Sequence, residues 1–469
     1  MFKDNWRFLL VYTAFFTLAW QCGFQPEIPY RYIQLLDQSW LTNRFWETMY
    51  NLHYQPPALN FMLGVLLWLQ KTTGIRAETL MMGLNFALGL VTTASVASLS
   101  KSVIKDRVIS TAVILLFLVN PYLYKSAFIY FYTYYELFLL TFTGVFVYSY
   151  FMAPRVRTYI YICVLLATVV YTHSLFHFLW PIPVLAGLPI LAMKAPGLTA
   201  RELKMTCAIG LMTVLVVLAW PAKNYFRFGY FTYSSLQGVN LLSKEVKVPF
   251  NMPPEFSNIS AVSAPKKSDG TTNWNNYSII PVSKDVQAMF FSVVDRNPEI
   301  LFGRALKFYL KGYIIYEARS TWTGKLYTET PAIRLWMRAY ELMLFQHFGE
   351  FNIEEYSLER GVVFTGFAFL FPLIMVLSMV CIFRSWGDMP AEARTAAFML
   401  YCVAWVLIMS LLINGYESNR YRFPTEPYTM ILAGWVVSVF GRSRARTAVL
   451  SALVLMLAGL GVVNWALYG

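Results

Sequence analysis

The sequence predicts an all-α polytopic membrane protein: about eleven transmembrane helices, further juxtamembrane helices on the outer face, and a modest extracytoplasmic loop region. Three observations predict it. Of 469 residues, 57% are hydrophobic and only 13% charged, and the mean hydropathy is +0.49, so polar surface is too scarce to cover a soluble globule. Apolar runs suited to crossing about 30 Å of hydrocarbon recur along the chain. The net charge of +13 comes from basic residues in short clusters between those runs rather than along one face, which speaks for membrane topology and against a nucleic-acid partner.

Spans are expected at 6–24, 78–99, 108–124, 133–152, 158–172, 178–193, 205–222, 361–383, 395–414, 427–441 and 447–466. The first is predicted to be retained, because no small-residue cleavage site precedes the polar QPEIPYRY. Residues 58–69, within PPALNFMLGVLLWL, are left out: the run is about a dozen residues where a crossing takes about 20. Charge supports the omission. With it, and with the N-terminus inside, Lys3/Arg7, Lys101/Lys105/Arg107, Arg155/Arg157, Lys194/Arg201/Lys204, Arg384/Arg394 and Arg442/Arg444/Arg446 are all cytoplasmic. Counting it as a span would place every later cluster outside. The segment therefore reads as a helix started by its prolines at the outer interface.

Three outer pieces follow: 25–77, 223–360, and NGYESNRYRFPTEPY from Asn414. The chain divides accordingly into an N-terminal module at 1–222, an extracytoplasmic region at 223–360 and C-terminal spans at 361–469. Residues 223–300 are rich in Pro, Asn, Ser and Lys and read as mostly loop. Interfacial helices are expected at 301–318 and 332–351, where basic residues interleave with an apolar face. All five cysteines lie inside apolar runs, offering the loops no disulfide or zinc framework.

A long first outer loop with an early acidic residue, the HYQPP that opens residues 53–57, a large late outer loop and the closing RYRFPTEP together resemble the C-type superfamily of integral-membrane glycosyltransferases. The branch it resembles contains the protein O-mannosyltransferases and the bacterial aminoarabinose transferases of lipid A. The resemblance implies a sugar donor on polyprenyl phosphate, a glycan, lipid or protein acceptor, and a bacterial inner membrane with the site facing the exterior. It implies no cofactor, although a divalent cation such as Mg or Mn stays open because related oligosaccharyltransferases bind one.

Such chemistry asks for a carboxylate to deprotonate or orient the acceptor and for cations to take up charge on the departing phosphate. In QPEIPYRYIQLLD the resemblance points to Glu27, directly after a QP pair, with Asp37 as the alternative. In NPYLYKSAFIYFYTYYELF it points to Glu136, which either orients the acceptor or is simply satisfied by Lys125 or a tyrosine hydroxyl. Candidate phosphate ligands are His53, Lys125, Lys223, Arg227, Arg420 and Arg422, with Gln55 beside His53 and Glu417 beside the arginines as further substrate-binding candidates and Glu426 flanking the arginines on the other side. For the basic residues the competing role is snorkelling to lipid headgroups, and for His53 it is capping the interfacial helix. His173 and His177 share one side if helical, a weak metal signal that packing explains as well. Two rival classes use similar parts: a lipid-linked-sugar transporter or flippase, and a polysaccharide polymerase or ligase. The absence of apparent repeats and the gathering of charge at one boundary disfavour the transporter.

Overall fold

The computed structural model describes residues 3–32, 34–193, 199–235, 266–277, 279–301, 303, 331, 336, 366–386, 388–410 and 422–440. The described residues form helices joined by turns, with two isolated β-bridges, at Glu27/Ile129 and Lys266/Thr272. The helices are α1 (Trp6–Gln21), α2 (Gln38–Asn43), α3 (Phe45–Asn51), α4 (Ala58–Thr73), α5 (Ala77–Val103), α6 (Arg107–Leu118), α7 (Pro121–Phe128), α8 (Tyr132–Met152), α9 (Val156–Thr172), α10 (Pro181–Ala192), α11 (Ala200–Phe228), α12 (Ile279–Arg296), α13 (Gly366–Arg384), α14 (Ala391–Ser410) and α15 (Glu426–Phe440).

Local chemistry sets many of these limits. Asp106 caps α6 by accepting from the amides of Val108 and Ile109, and Asn120 caps α7 ahead of Pro121 at its first position. The Asn-Pro step breaks the expected 108–124 span into two helices bent by 43°. Thr199 and Glu202 form a reciprocal capping box that starts α11. α4 starts directly after Pro57 and ends at Gly74, whose φ of +74° few other residues tolerate.

Each of the ten expected spans within the described residues overlaps a helix, but not each helix is long enough to cross. Four pass by length and composition, Ala77–Val103, Tyr132–Met152, Ala200–Phe228 and Ala391–Met409, and a fifth if the bent pair α6–α7 is one span. α9, α10 and Phe371–Arg384 are shorter apolar helices. Among the described residues this count reaches four or five of the expected eleven, and breaks in the apolar runs leave the other described helices shorter. In 158–193 the turn from His173 to Trp180 and the prolines at 181 and 189 leave α10 only 12 residues. The expected span 447–466, Glu417, Arg420 and, apart from residues 301, 303 and 336, the interfacial helices at 301–318 and 332–351 lie outside the described residues.

α8 is the central helix, packed against α5, α9 and α14. Small residues permit the close crossings: a Cβ on Gly89 of α5 would lie 1.8 Å from the Tyr12 hydroxyl, and one on Gly144 of α8 would lie 2.9 Å from that of Tyr428. The hydroxyls then close polar links in an apolar core, Tyr12 to Tyr134 at 3.1 Å and Tyr134 to the Asn85 carbonyl at 2.9 Å.

The region expected to be mostly loop carries more helix than predicted. α11 continues six residues past the expected span end, to Phe228, and α12 buries Ile279, Ser283, Val286 and Phe290 on one face. That spacing is helical and was legible as a stripe, masked by the loop-like composition before it.

Candidate functional site

The short stretch His53–Asn60 organises the first outer loop. Asn60, in the first turn of α4, accepts from the Leu36 amide at 2.8 Å and donates to the Gln34 carbonyl at 3.1 Å. The Leu59 carbonyl accepts from the Tyr130 hydroxyl at 2.5 Å. Tyr130 in turn belongs to the bridge that holds Glu27: the Glu27 amide donates to the Phe128 carbonyl and the Tyr130 amide to the Glu27 carbonyl, both at 2.9 Å. Backbone pairing thus fixes Glu27 and leaves its side chain out of the pairing.

Among the described residues the Glu27 carboxylate has no hydrogen-bond or ion-pair partner, and the residue is half-buried. Desolvation raises its pKa above the ordinary glutamate value. A half-buried, unpaired carboxylate with raised basicity has the properties of a general base. Asp37 is different. It caps α2 by accepting from the Ser39 amide and hydroxyl, and also accepts from the Ser268 amide. Burial opposes its ionisation, but the bonds from Ser268 and Ser39 outweigh it and hold the pKa below the usual value. Asp37 is a structural latch in this arrangement.

His53 is a latch as well. It is wholly enclosed; Nε2–H donates to the Asn275 carbonyl at 3.0 Å, so Nδ1 accepts from the Ser235 hydroxyl at 2.8 Å. Its backbone amide donates to the Asn275 side chain at 3.0 Å, and its carbonyl accepts from the Ser235 amide. Burial first, and then the charge of Lys223, push the imidazole pKa down to about 3. With both ring nitrogens engaged, His53 ties the first outer loop to Ser235 and Asn275, and it does not cap α4, which starts after Pro57.

The cations divide similarly. Lys223 donates to the Leu52 carbonyl and lies 3.9 Å from the Trp220 ring centroid. Arg227 is exposed, bonds the Asn51 side chain at 3.2 Å and lies over the Tyr50 ring. Lys125 occupies the last turn of α7, one turn before the Ile129 bridge. Gln55 is buried, and its Oε1 finds no partner among the described residues. Arg422 is buried and pairs with Glu426 at 3.8 Å, while Asn120 donates to the other Glu426 oxygen at 3.4 Å. The expected charged cluster is present here as an internal pair of Arg422 with Glu426, across the 3-10 turn that leads into α15.

Glu136 is fully buried one helical turn into α8, and among the described residues it pairs with Nδ1 of His173 at 3.0 Å. The expected partners were Lys125 or a tyrosine. His173 is not helical: α9 ends at Thr172, so His173 turns to Glu136 while His177 packs against Phe178. The supposed histidine pair is separated. Burial pushes the His177 pKa down to about 4. Among the described residues no group of three or more His, Cys, Asp or Glu gathers closely enough to hold a metal ion.

Sequence reasoning missed Asn51, Asn60, Ser235, Lys267 and Asn275. Lys267 donates to the carbonyls of Tyr30, at 3.3 Å, and Tyr32, at 2.9 Å; Asn275 donates to the Asn51 carbonyl at 3.1 Å. Only Asn60 had a signal, a polar side chain inside an apolar run. The others bind partners more than 170 positions away, which local pattern cannot show. Compared with models of known protein families and with curated proteins, the chain matches none.

Proposed function

We propose that this chain is an integral-membrane glycosyltransferase of the C-type kind, moving a sugar from a polyprenyl-phosphate donor to a glycan, lipid or protein acceptor at the outer face of a bacterial inner membrane. In this reading there are about eleven spans and α4 lies at the outer interface. The observation that carries it is Glu27: a half-buried carboxylate, unpaired among the described residues and held by backbone bonds at the start of the first outer loop. Glu27 takes the proton from the acceptor hydroxyl as its oxygen attacks C1 of the sugar. The C1–O bond breaks with inversion, and the electron pair leaves with polyprenyl phosphate. Arg227 and Lys223, where α11 emerges, support the departing charge.

The test incubates purified protein with a panel of polyprenyl-phosphate sugars and measures release of polyprenyl phosphate. Wild type is expected to release it from one donor, and Glu27→Gln to bind that donor without turnover. No release from any donor, with transport of the lipid-linked sugar across liposomes instead, would replace the transferase by a flippase.

A further inference from the structure

A carboxylate fully buried near the end of a membrane-spanning helix is costly unless paired, and a buried ion pair is seldom more stable than apolar side chains of the same size. The Glu136–His173 pair therefore calls for a reason beyond stability. Its surroundings supply one. His173 Nδ1 lies 3.0 Å from the Glu136 carboxylate, and the ring stacks on Tyr132 with centroids 3.8 Å apart and planes 16° apart. Tyr132 packs on Phe131 at 4.1 Å, and Phe131 on Tyr32 of the first outer loop at 5.2 Å. These aromatic residues continue the segment whose Phe128 and Tyr130 make the two backbone bonds to Glu27. The chain that follows His173 is also fixed. After His173 the chain is tied to α14 by Trp405 Nε1–H donating to the Leu175 carbonyl at 2.9 Å, and by the Tyr401 hydroxyl donating to the Trp180 carbonyl at 2.8 Å.

We propose that His173 is a positioning residue for Glu27: anchored by Glu136, its ring sets the Phe131–Tyr132 stack and so the register of the segment to which Glu27 is bonded. The proposal rests on the transferase reading for its consequence, since a base displaced by about 1 Å costs on the order of a hundredfold in rate. Its structural half stands without any activity.

The test uses full-length protein in lipid nanodiscs, with His173→Phe, which keeps a ring and removes the imidazole nitrogen beside Glu136, and the double variant His173→Phe with Glu136→Leu, which also removes the buried carboxylate. Amide hydrogen exchange is followed in peptides covering 24–31 and 127–133, alongside thermal unfolding and, with the accepted donor, kcat and KM. His173→Phe is expected to exchange at least tenfold faster in both peptides, with kcat at least tenfold lower and KM for the donor unchanged. The double variant is expected to recover the unfolding temperature while both peptides stay fast. Wild-type exchange in His173→Phe, or its full recovery in the double variant, overturns the proposal. Fast exchange in the variants, with no donor cleaved even by wild type, sinks the transferase reading and leaves the anchor standing.

Discussion

Replacing His53 with Phe keeps an aromatic ring where the imidazole packs against Phe228, centroids 4.9 Å apart, and Tyr277, at 5.6 Å, but removes both ring hydrogen bonds. The Ser235 hydroxyl and the Asn275 carbonyl are left without their His53 partner in a buried site. Each orphaned group costs about 1–3 kcal/mol, so local opening becomes easier by roughly 2–6 kcal/mol, or on the order of thirtyfold to ten-thousandfold. His53 joins the first outer loop to the segments on either side of 236–265, so the cost falls on the joint. Hydrogen exchange of peptides covering 49–56, 230–235 and 266–277 should accelerate together by at least thirtyfold, while peptides from α5 and α8 keep their rates. Acceleration confined to 49–56, or below threefold throughout, would refute the assignment of His53 as the latch. Because its pKa lies near 3, the latch should not respond to pH between 5 and 8, and a response there would equally count against it.

Three further outcomes are expected. Because desolvation raises the Glu27 pKa, the base is ionised only at higher pH than an ordinary glutamate, so transfer should rise with pH through that raised value. The fold binds this proton more tightly than the unfolded chain, so stability should fall across the same window, and Glu27→Gln should flatten that fall. Arg422→Ala removes the cation paired with the buried Glu426 carboxylate and should destabilise by about 3–5 kcal/mol, seen as lost folded yield; Arg422→Met with Glu426→Leu should restore it. Yield unchanged in Arg422→Ala would refute a structural role for this pair. Finally, cysteines at Thr73 and Lys266 should label from outside with an impermeant reagent and one at Arg107 should not; labelling of Thr73→Cys only from the cytoplasm would make α4 a crossing.

What the sequence determined by itself is what depends on neighbours along the chain. Apolar runs located the described spans, because burying a helix in hydrocarbon is a property of consecutive residues. Proline and glycine marked the ends of α4, and its prolines flagged 53–60 as special. The same locality explains the errors. Break residues shortened α10 and split α6 from α7, and composition averaged over 223–300 hid the α12 stripe.

Tertiary structure alone decided which chemistry each polar residue performs. Glu27 and Asp37 are both loop carboxylates in the sequence. Asp37 is satisfied by Ser268, from a distant segment, while Glu27 is held through its backbone with its carboxylate unpaired among the described residues. His53 and His173 likewise become a neutral latch and an acid's partner through Asn275 and Glu136. Burial and hydrogen-bond partners set ionisation, and both are fixed by residues far away in sequence. A titratable residue's type is therefore legible from the chain, whereas its role waits on the fold.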